Sequence, residues 1–174
     1  LINHGASISD LSKHRSDSVS KFQSEEFSIL GYNYRMTDLQ GAIGVVQVKR
    51  LKTILELRKK RALHYNDALS KMPYIIPPKI PEYANSNWQT YGIRISENCP
   101  IPRNEIVQRL LDAGISCRPG YMACHEQFLY KKINPKIHLP VTDLVGQSLV
   151  ILPLFPQMTD EEQEYVIHNL QILT

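Results

Sequence analysis

The sequence predicts a small two-layer α+β domain carried behind one long helix, and three observations predict it. From Thr37 to Met72, apolar residues recur at steps of three and four, the period of a single helical face. A proline-rich stretch, "MPYIIPPKIPEYANSN", then breaks that period. Beyond it, β-forming runs alternate with short amphipathic ones over about 85 residues, the pattern of a sheet covered by helices.

The elements can be justified in order. Residues 9–28 are polar and aperiodic; they are expected to be an exposed loop, with a loop that closes over a ligand as the functional alternative. The next stretch, "LGYNYRMTDLQGAIG", leads into the helix. Thr37 and Gln40 have the S/T-x-x-E/Q spacing of a capping box, in which each side chain satisfies a backbone N–H near the other. Leu39, Ile43, Val46, Val48, Leu51, Leu55, Ala62, Tyr65, Leu69 and Met72 form the apolar stripe, which Arg58 interrupts. Glu56 and Lys60 are spaced as an i, i+4 ion pair. Pro73 ends the helix, which would have about 35 residues and span about 50 Å at about 1.5 Å per residue, unless it is broken in two. Gly41 and Gly44 either admit the close approach of another backbone, such as one from a second subunit, or simply weaken the first turns.

The proline-rich connector sets the expected domain boundary, with residues 1–73 on one side and 74–174 on the other. "WQTYGIRIS" is a strand with Tyr91, Ile93 and Ile95 on one face. "NEIVQRLLDAG" is a helix capped by Asn104 and ended by Gly114, with Ile106, Val107, Leu110 and Leu111 inward. "ISCRP" is a short strand, and "HEQFLYKK" and "TDLVGQS" are short helical segments. "LVILPL" is a buried strand. The last helix starts at a second capping box, Thr159 and Glu162, and turns Val166, Ile167 and Leu170 inward.

Composition narrows the function. An apolar fraction of 43% in 174 residues allows a real core. A net charge of +3 is too small to argue for a nucleic acid or a membrane surface. Cys99, Cys117 and Cys124 form no CxxC pair, which speaks against a structural zinc site and for a reducing, cytoplasmic setting. No apolar run approaches the roughly 20 residues of a bilayer span, and the opening lacks a signal-peptide pattern. The chain opens on "LINHGAS" without a methionine. The expectation is therefore a segment of a longer protein, with essential residues upstream.

Most candidate chemistry has an ordinary explanation. Asp160, Glu161, Glu162 and Glu164 cluster at a helix N-terminus, where they offset the dipole. The six histidines, His4, His14, His64, His125, His138 and His168, show no metal-ligand spacing, so no metal is expected. His125 stands apart because it follows the turn "CRPGYMAC", from which a ring could point into a cleft. Cys117 and Cys124 are taken as structural. Neither GxGxxG nor GxxxxGK[ST] occurs. The basic residues between Lys49 and Arg61 lack the aromatic interleaving of a nucleic-acid stripe. That leaves Asn33 and Arg35, directly before the Thr37 cap. Both are phosphate donors next to a helix start, which suits an anionic ligand. A turn made by Asn33 and a surface ion pair made by Arg35 explain them equally well.

Four ordered blocks resemble the DegT/DnrJ/EryC1/StrS aminotransferases: "NHGAS", "LGYNYRMTDLQGAIGVVQVKRL", "GISCRPGYMACHEQFLY" and "LVILPLFPQMTDEEQEYVI". The resemblance runs from Asn3 to about Leu170, and the "GYNYRMTDLQ" block is its most specific part. It implies an α/β fold, the fold-type-I pyridoxal-phosphate transferase. This chain would supply the end of the large domain and the long interdomain helix in residues 1–73, and the small C-terminal α+β domain in 74–174. It also implies a homodimer using pyridoxal 5'-phosphate to move an amino group, with glutamate the expected donor, to a nucleotide-linked keto-sugar for polysaccharide or antibiotic sugar biosynthesis. Asn33 matches the residue that reaches the cofactor phosphate of the neighbouring subunit, and Arg35 a position beside the active site. Arg118, Tyr121 and His125 match the substrate-contacting segment. Many members have a His before that Tyr and a Pro two residues after it, where this chain has Gly120 and Ala123. This departure bears on the identity of the substrate more than on the reaction. The Schiff-base lysine of the family lies upstream of Leu1, so no catalytic residue is assigned in this chain and the fragment alone is expected to be inactive. The alternative is a relative that kept the scaffold, lost the chemistry and serves regulation or interaction.

Overall fold

The computed structural model describes residues 36–174, so the expectations for residues 9–28, Asn33 and Arg35 lie outside the described residues. The chain divides into two compact units, one up to Arg50 and one from Leu51 onward. In the first, helix α1 (Asp38–Leu69) begins. Its expected capping box is present: Thr37 N–H donates to Gln40 Oε1 at 3.0 Å and Gln40 N–H to Thr37 Oγ1 at 3.3 Å. Leu39, Ile43, Val46 and Val48 are exposed. A Cβ placed on Gly41 would meet only Met36 Sδ, at 4.0 Å, and one on Gly44 would meet nothing within 4 Å.

The second unit contains a four-stranded antiparallel sheet. Strands β1 (Ile75–Ile76), β2 (Tyr91–Ile95), β3 (Arg118–Pro119) and β4 (Leu149–Leu152) lie in the order β1-β2-β4-β3. The register sets Tyr91 opposite Leu152 and Ile93 opposite Val150. Residues facing each other across a strand pair share one side of the pleat. That side is the core face, where these four residues and Ile95 pack with Tyr65, Leu69, Ile106, Leu110, Val166 and Leu170. The covering helices are the end of α1, α2 (Arg103–Asp112) and α5 (Asp160–Leu173), and the short helices α3 (Phe128–Ile133) and α4 (Pro140–Ser148) follow β3.

The helical stripe is buried only at Ala62, Tyr65 and Leu69, while Leu51 and Leu55 are exposed. Helix length explains this. A helix of 32 residues is about 48 Å long at about 1.5 Å per residue, far beyond what strands of two to five residues can cover. Arg58, which interrupts the stripe, has a structural use: Nη1 donates to the carbonyls of Trp88 at 2.9 Å and Gln89 at 3.1 Å. Trp88 has φ 50°, a left-handed backbone that costs a non-glycine residue on the order of 1–2 kcal/mol. The Arg58 bond, together with the bond from Trp88 N–H to Ser86 Oγ at 3.1 Å, holds this turn in place as the chain enters β2.

Among the described residues, the buried polar side chains Gln163 and Ser148 are paired. Gln163 is fully buried, donates to the Arg61 carbonyl at 2.8 Å and accepts from Arg61 Nη1 at 3.2 Å. Arg61 also pairs with Asp160, tying α1 to the start of α5. Tyr65 Oη donates to the Pro153 carbonyl at 3.1 Å and Tyr91 Oη to Asn66 Oδ1 at 2.6 Å, with the two rings 4.9 Å apart.

Three local expectations are corrected. Helix α2 starts at Arg103 after Pro102 and has no side-chain cap, so Asn104 lies inside the first turn and does not cap it. Pro102, at φ −60°, takes the cap position, so the helix starts two residues earlier than an Asn104 cap would place it. Leu111 is exposed, because Ile106, Val107 and Leu110 already fill the narrow strip facing the sheet. Part of the proline-rich connector is a strand, since Ile75 pairs with Ile95. Gly114 does end α2, at φ 76° with its N–H on the Leu111 carbonyl at 2.9 Å. The Thr159–Glu162 box closes in both directions, at 3.1 and 2.8 Å.

Candidate functional site

The site is built where the chain leaves β3. Arg118 pairs with Ile151 and Pro119 with Val150, and Gly120 N–H then donates to the Leu149 carbonyl at 3.0 Å. The approach is so close that a Cβ on Gly120 would lie 2.5 Å from Leu149 Cδ2 and 2.6 Å from Leu149 Cβ. Leu149 thus fills the space a side chain at position 120 would need. Tyr121 follows, its hydroxyl 3.1 Å from Thr90 Oγ1 and its ring 5.6 Å beneath the Arg118 guanidinium, a cation–π distance.

The chain next makes a single 3-10 turn, Cys124–Glu126. The His125 side chain is 8% exposed, and its Nε2 is 2.7 Å from Asp143 Oδ1. Glu126 Oε1 is 3.7 Å from the same nitrogen, while Glu126 Oε2 accepts from Lys131 Nζ at 2.6 Å. Three potential ligand atoms of His125, Glu126 and Asp143 thus lie within 4.8 Å of one another. Asp143 sits in the first turn of α4, where the helix dipole favours a carboxylate.

The far end of α4 is held by Arg103, which donates from Nη2 to the Gly146 carbonyl at 3.1 Å and from Nη1 to the Leu149 carbonyl at 3.3 Å. The Gly146 carbonyl needs a donor because the last carbonyls of a helix have no intrahelical partner, while the Leu149 carbonyl already accepts from Gly120 N–H. Arg103 Nε is buried without a partner, and burial lowers the guanidinium pKa from its ordinary value. Between the Gly120–Gln127 segment and α4 lies a cleft of about 390 Å³, lined by Arg103, Tyr121, Gln127, Thr142, Asp143 and Gln147 among others. That is within the size range of small-molecule sites. A larger cleft of about 520 Å³ lies between α1 and the proline-rich connector, but none of the candidate residues named from the sequence faces it.

The structure brings Arg118 and Tyr121 together and sets Tyr121 on the cleft wall. His125 is one layer back, behind Asp143. Sequence reasoning missed Asp143, Arg103 and Thr90. Asp143 and His125 are 18 positions apart with no shared spacing signal. Cys117 is buried against the Val107 carbonyl, and burial raises its thiol pKa, as suits a structural residue. At the start of α1, the capping box occupies the N–H groups of Thr37 and Gln40, and Asp38 adds a carboxylate in the first turn. This helix start is a poor phosphate site by itself.

Residues 3–171 match the model of the DegT/DnrJ/EryC1/StrS aminotransferase family. Among solved structures, the putative sugar aminotransferase Spr1654 from Streptococcus pneumoniae, in its PMP-form, is 25% identical, with a TM-score of 0.76 over 85% of this chain and 38% of that one. PseC from Helicobacter pylori, an aminotransferase involved in the biosynthesis of pseudoaminic acid, is 20% identical, with a TM-score of 0.77 over 89% of this chain and 42% of that one. A GDP-4-keto-6-deoxymannose-3-dehydratase with a trapped PLP-glutamate geminal diamine is 24% identical, with a TM-score of 0.70 over 83% and 38%. The chain spans about two-fifths of the length of these structures. The α/β fold-type-I class implied by the sequence agrees with them, and the expected cofactor is the one that Spr1654 carries in its PMP- and PLP-forms and the dehydratase carries as a PLP-glutamate adduct.

Proposed function

The chain belongs to the DegT/DnrJ/EryC1/StrS aminotransferase family, and from that premise we propose that it is the C-terminal part of a pyridoxal-phosphate-dependent enzyme that moves an amino group from glutamate to a nucleotide-linked keto-sugar. Residues 1–73 are the end of the large domain and the interdomain helix, and 74–174 are the small domain. The cofactor, when bound, supplies the electron sink for the transfer. Asn33 holds its phosphate from the neighbouring protomer of a homodimer, with Arg35 beside it. Arg118 and Tyr121 contact the substrate, Tyr121 from the cleft wall and Arg118 from over the Tyr121 ring. The reaction takes place in the cytoplasm and feeds surface polysaccharide or antibiotic sugar synthesis.

The observation that carries this reading is the family match along nearly the whole chain. The polar cleft beside Tyr121 supports it with a site of suitable size. The test uses the intact protein. It is expected to absorb near the visible edge, to be fixed to its cofactor at a lysine by borohydride, and to form 2-oxoglutarate from glutamate when a nucleotide-linked keto-sugar is supplied. Absence of both the absorbance and the labelled lysine would favour a non-catalytic relative. Residues 1–174 alone are expected neither to bind the cofactor tightly nor to transaminate, and saturable one-to-one binding by this piece would contradict the division of the site.

A further inference from the structure

The family resemblance assigns His125 to the substrate, but the geometry points one residue further out. The imidazole is almost fully buried and does not line the cleft, and its Nε2 is spent on Asp143 Oδ1 at 2.7 Å. Asp143 does line the cleft, and its side chain is 28% exposed. Among the described residues, only His125 hydrogen-bonds this carboxylate, through Oδ1, so Oδ2 is left for a ligand. We propose that Asp143 binds hydroxyl groups of the substrate's sugar ring and that His125 is a positioning residue that aims it. The inference rests on the function proposed above and adds which end of the substrate this cleft receives.

The chemistry favours a sugar ring over the other parts of a nucleotide sugar. An ionised carboxylate only accepts hydrogen bonds, so it selects a group with O–H or N–H to offer. Gln127, Gln147 and Tyr121, also on the cleft wall, both donate and accept, which suits a neutral ring bearing several hydroxyls. A diphosphate has only acceptor oxygens and negative charge, and it would meet the carboxylates of Asp143 and Glu126, one from each wall of the cleft. Arg103 lines the same cleft and keeps its charge, but Nη1 and Nη2 already donate to the Leu149 and Gly146 carbonyls and Nε is buried, which limits the donors it can turn to a phosphate. A cation bridging His125, Glu126 and Asp143 is disfavoured by the existing contacts. The His125–Asp143 distance is that of a direct hydrogen bond, and Glu126 already neutralises Lys131. A buried imidazole holding one carboxylate oxygen also fixes the rotamer before the ligand arrives, which reduces the ordering cost of binding.

The test is calorimetric titration of the intact protein with UDP-glucose and dTDP-glucose, each compared with the bare nucleotide. Asp143→Asn is expected to weaken binding of the nucleotide sugar about tenfold, the effect of losing one charged hydrogen bond, and to leave the bare nucleotide unchanged, which also shows that the variant folds. His125→Leu is expected to weaken the nucleotide sugar several-fold, with His125→Gln recovering part of the loss because its amide can still donate to Asp143. The double variant, Asp143→Asn with His125→Leu, should bind no more weakly than Asp143→Asn alone. Wild-type affinity in Asp143→Asn, or a loss confined to the His125 variants, overturns the assignment while leaving the family reaction intact. Stoichiometric zinc binding that disappears in Asp143→Asn overturns it in favour of a cation site. A wild-type protein that binds neither nucleotide sugar and releases no 2-oxoglutarate from glutamate overturns both proposals.

Discussion

Gly120→Ala is the sharpest structural test of the site. The added methyl would lie 2.5 Å from Leu149 Cδ2, 2.6 Å from Leu149 Cβ and 2.8 Å from Leu149 Cγ. Rotating the Leu149 side chain can move Cδ2, but Cβ moves only with the backbone of β4. Relief therefore means separating β3 from β4 and stretching the Gly120 N–H bond to the Leu149 carbonyl, now 3.0 Å. Overpacking of this kind costs about 1–3 kcal/mol, and the backbone involvement places the estimate near the middle, about 2 kcal/mol. In a chain of about 150–250 residues that would lower Tm by about 4–8 °C; in an intact protein more than twice as long as this chain the shift is about 2 °C. The assay is thermal and urea unfolding of the intact protein. Gly146→Ala serves as the control of opposite sign: a Cβ there meets nothing within 4 Å, and replacing a helical glycine by alanine gains up to about 1 kcal/mol. Adding Leu149→Ala to Gly120→Ala should restore only part of the loss, because Leu149 Cβ remains. A Gly120→Ala protein as stable as wild type would refute the claim that Leu149 takes the room at position 120, and with it the steric account of why this chain has no side chain there.

Three further predictions concern the packing around the sheet. Burial pushes the phenols of Tyr65 and Tyr91 well above their ordinary value; since the folded state keeps them neutral, their contribution is complete below about pH 10, where unfolded tyrosines begin to ionise, and falls as pH rises further. Unfolding measured between about pH 9 and 12 should show this loss, with a shallower slope in Tyr65→Phe, which itself costs about 1 kcal/mol through the lost bond to the Pro153 carbonyl. The Arg61 guanidinium, by hydrogen bond and then by charge, holds the Asp160 carboxyl below its ordinary value; this stabilisation is present above about pH 4 and lost as pH falls through the lower folded value, so Asp160→Asn should flatten the acid limb of a stability profile. Thr159→Ala removes the cap on the Glu162 N–H and should cost about 1 kcal/mol in urea unfolding.

What the sequence revealed follows from the range of the forces involved. The capping boxes at Thr37 and Thr159 were legible because each is closed by residues three positions apart. The faces of β2 and α5 were legible because burial imposes a period on neighbouring residues. The start of α2 was misjudged because Asn and Pro are both helix-start residues, and only the backbone shows that Pro102 prevails. Gln163 was passed over as a polar residue among acidic ones, although it is buried by two bonds to Arg61, 102 positions away. Strand β1 was hidden because its two residues stand among prolines and acquire their pairing only from β2. Of the cleft, the turn carrying Tyr121 and His125 could be singled out from the sequence. Its opposite wall could not, since Asp143 in "TDLVGQS" looks like any acidic residue in a first helical turn.

The two walls of the cleft share one reference, the inner strand β4. Helix α4 runs into β4 without a loop, Ser148 being followed at once by Leu149. Ser148 is further tied to β2 by Arg94 Nε at 3.3 Å, and Arg103 binds the carbonyls on either side of the junction. This wall therefore moves only with the sheet. The opposite wall is a run of non-repetitive chain and one 3-10 turn, which would be free to shift if it depended on its own hydrogen bonds. It is fastened at three points: Gly120 on Leu149, Tyr121 on Thr90 and His125 on Asp143. Two of these lead to β4 or α4, and the third to the residue just before β2, the neighbour of β4. Among the described residues, Leu149 is thus the one that both walls are fastened to directly, by Gly120 on one side and Arg103 on the other. Substitutions at this residue should alter ligand affinity without any contact to the ligand, whereas changes at the exposed outer residues of α3 should not.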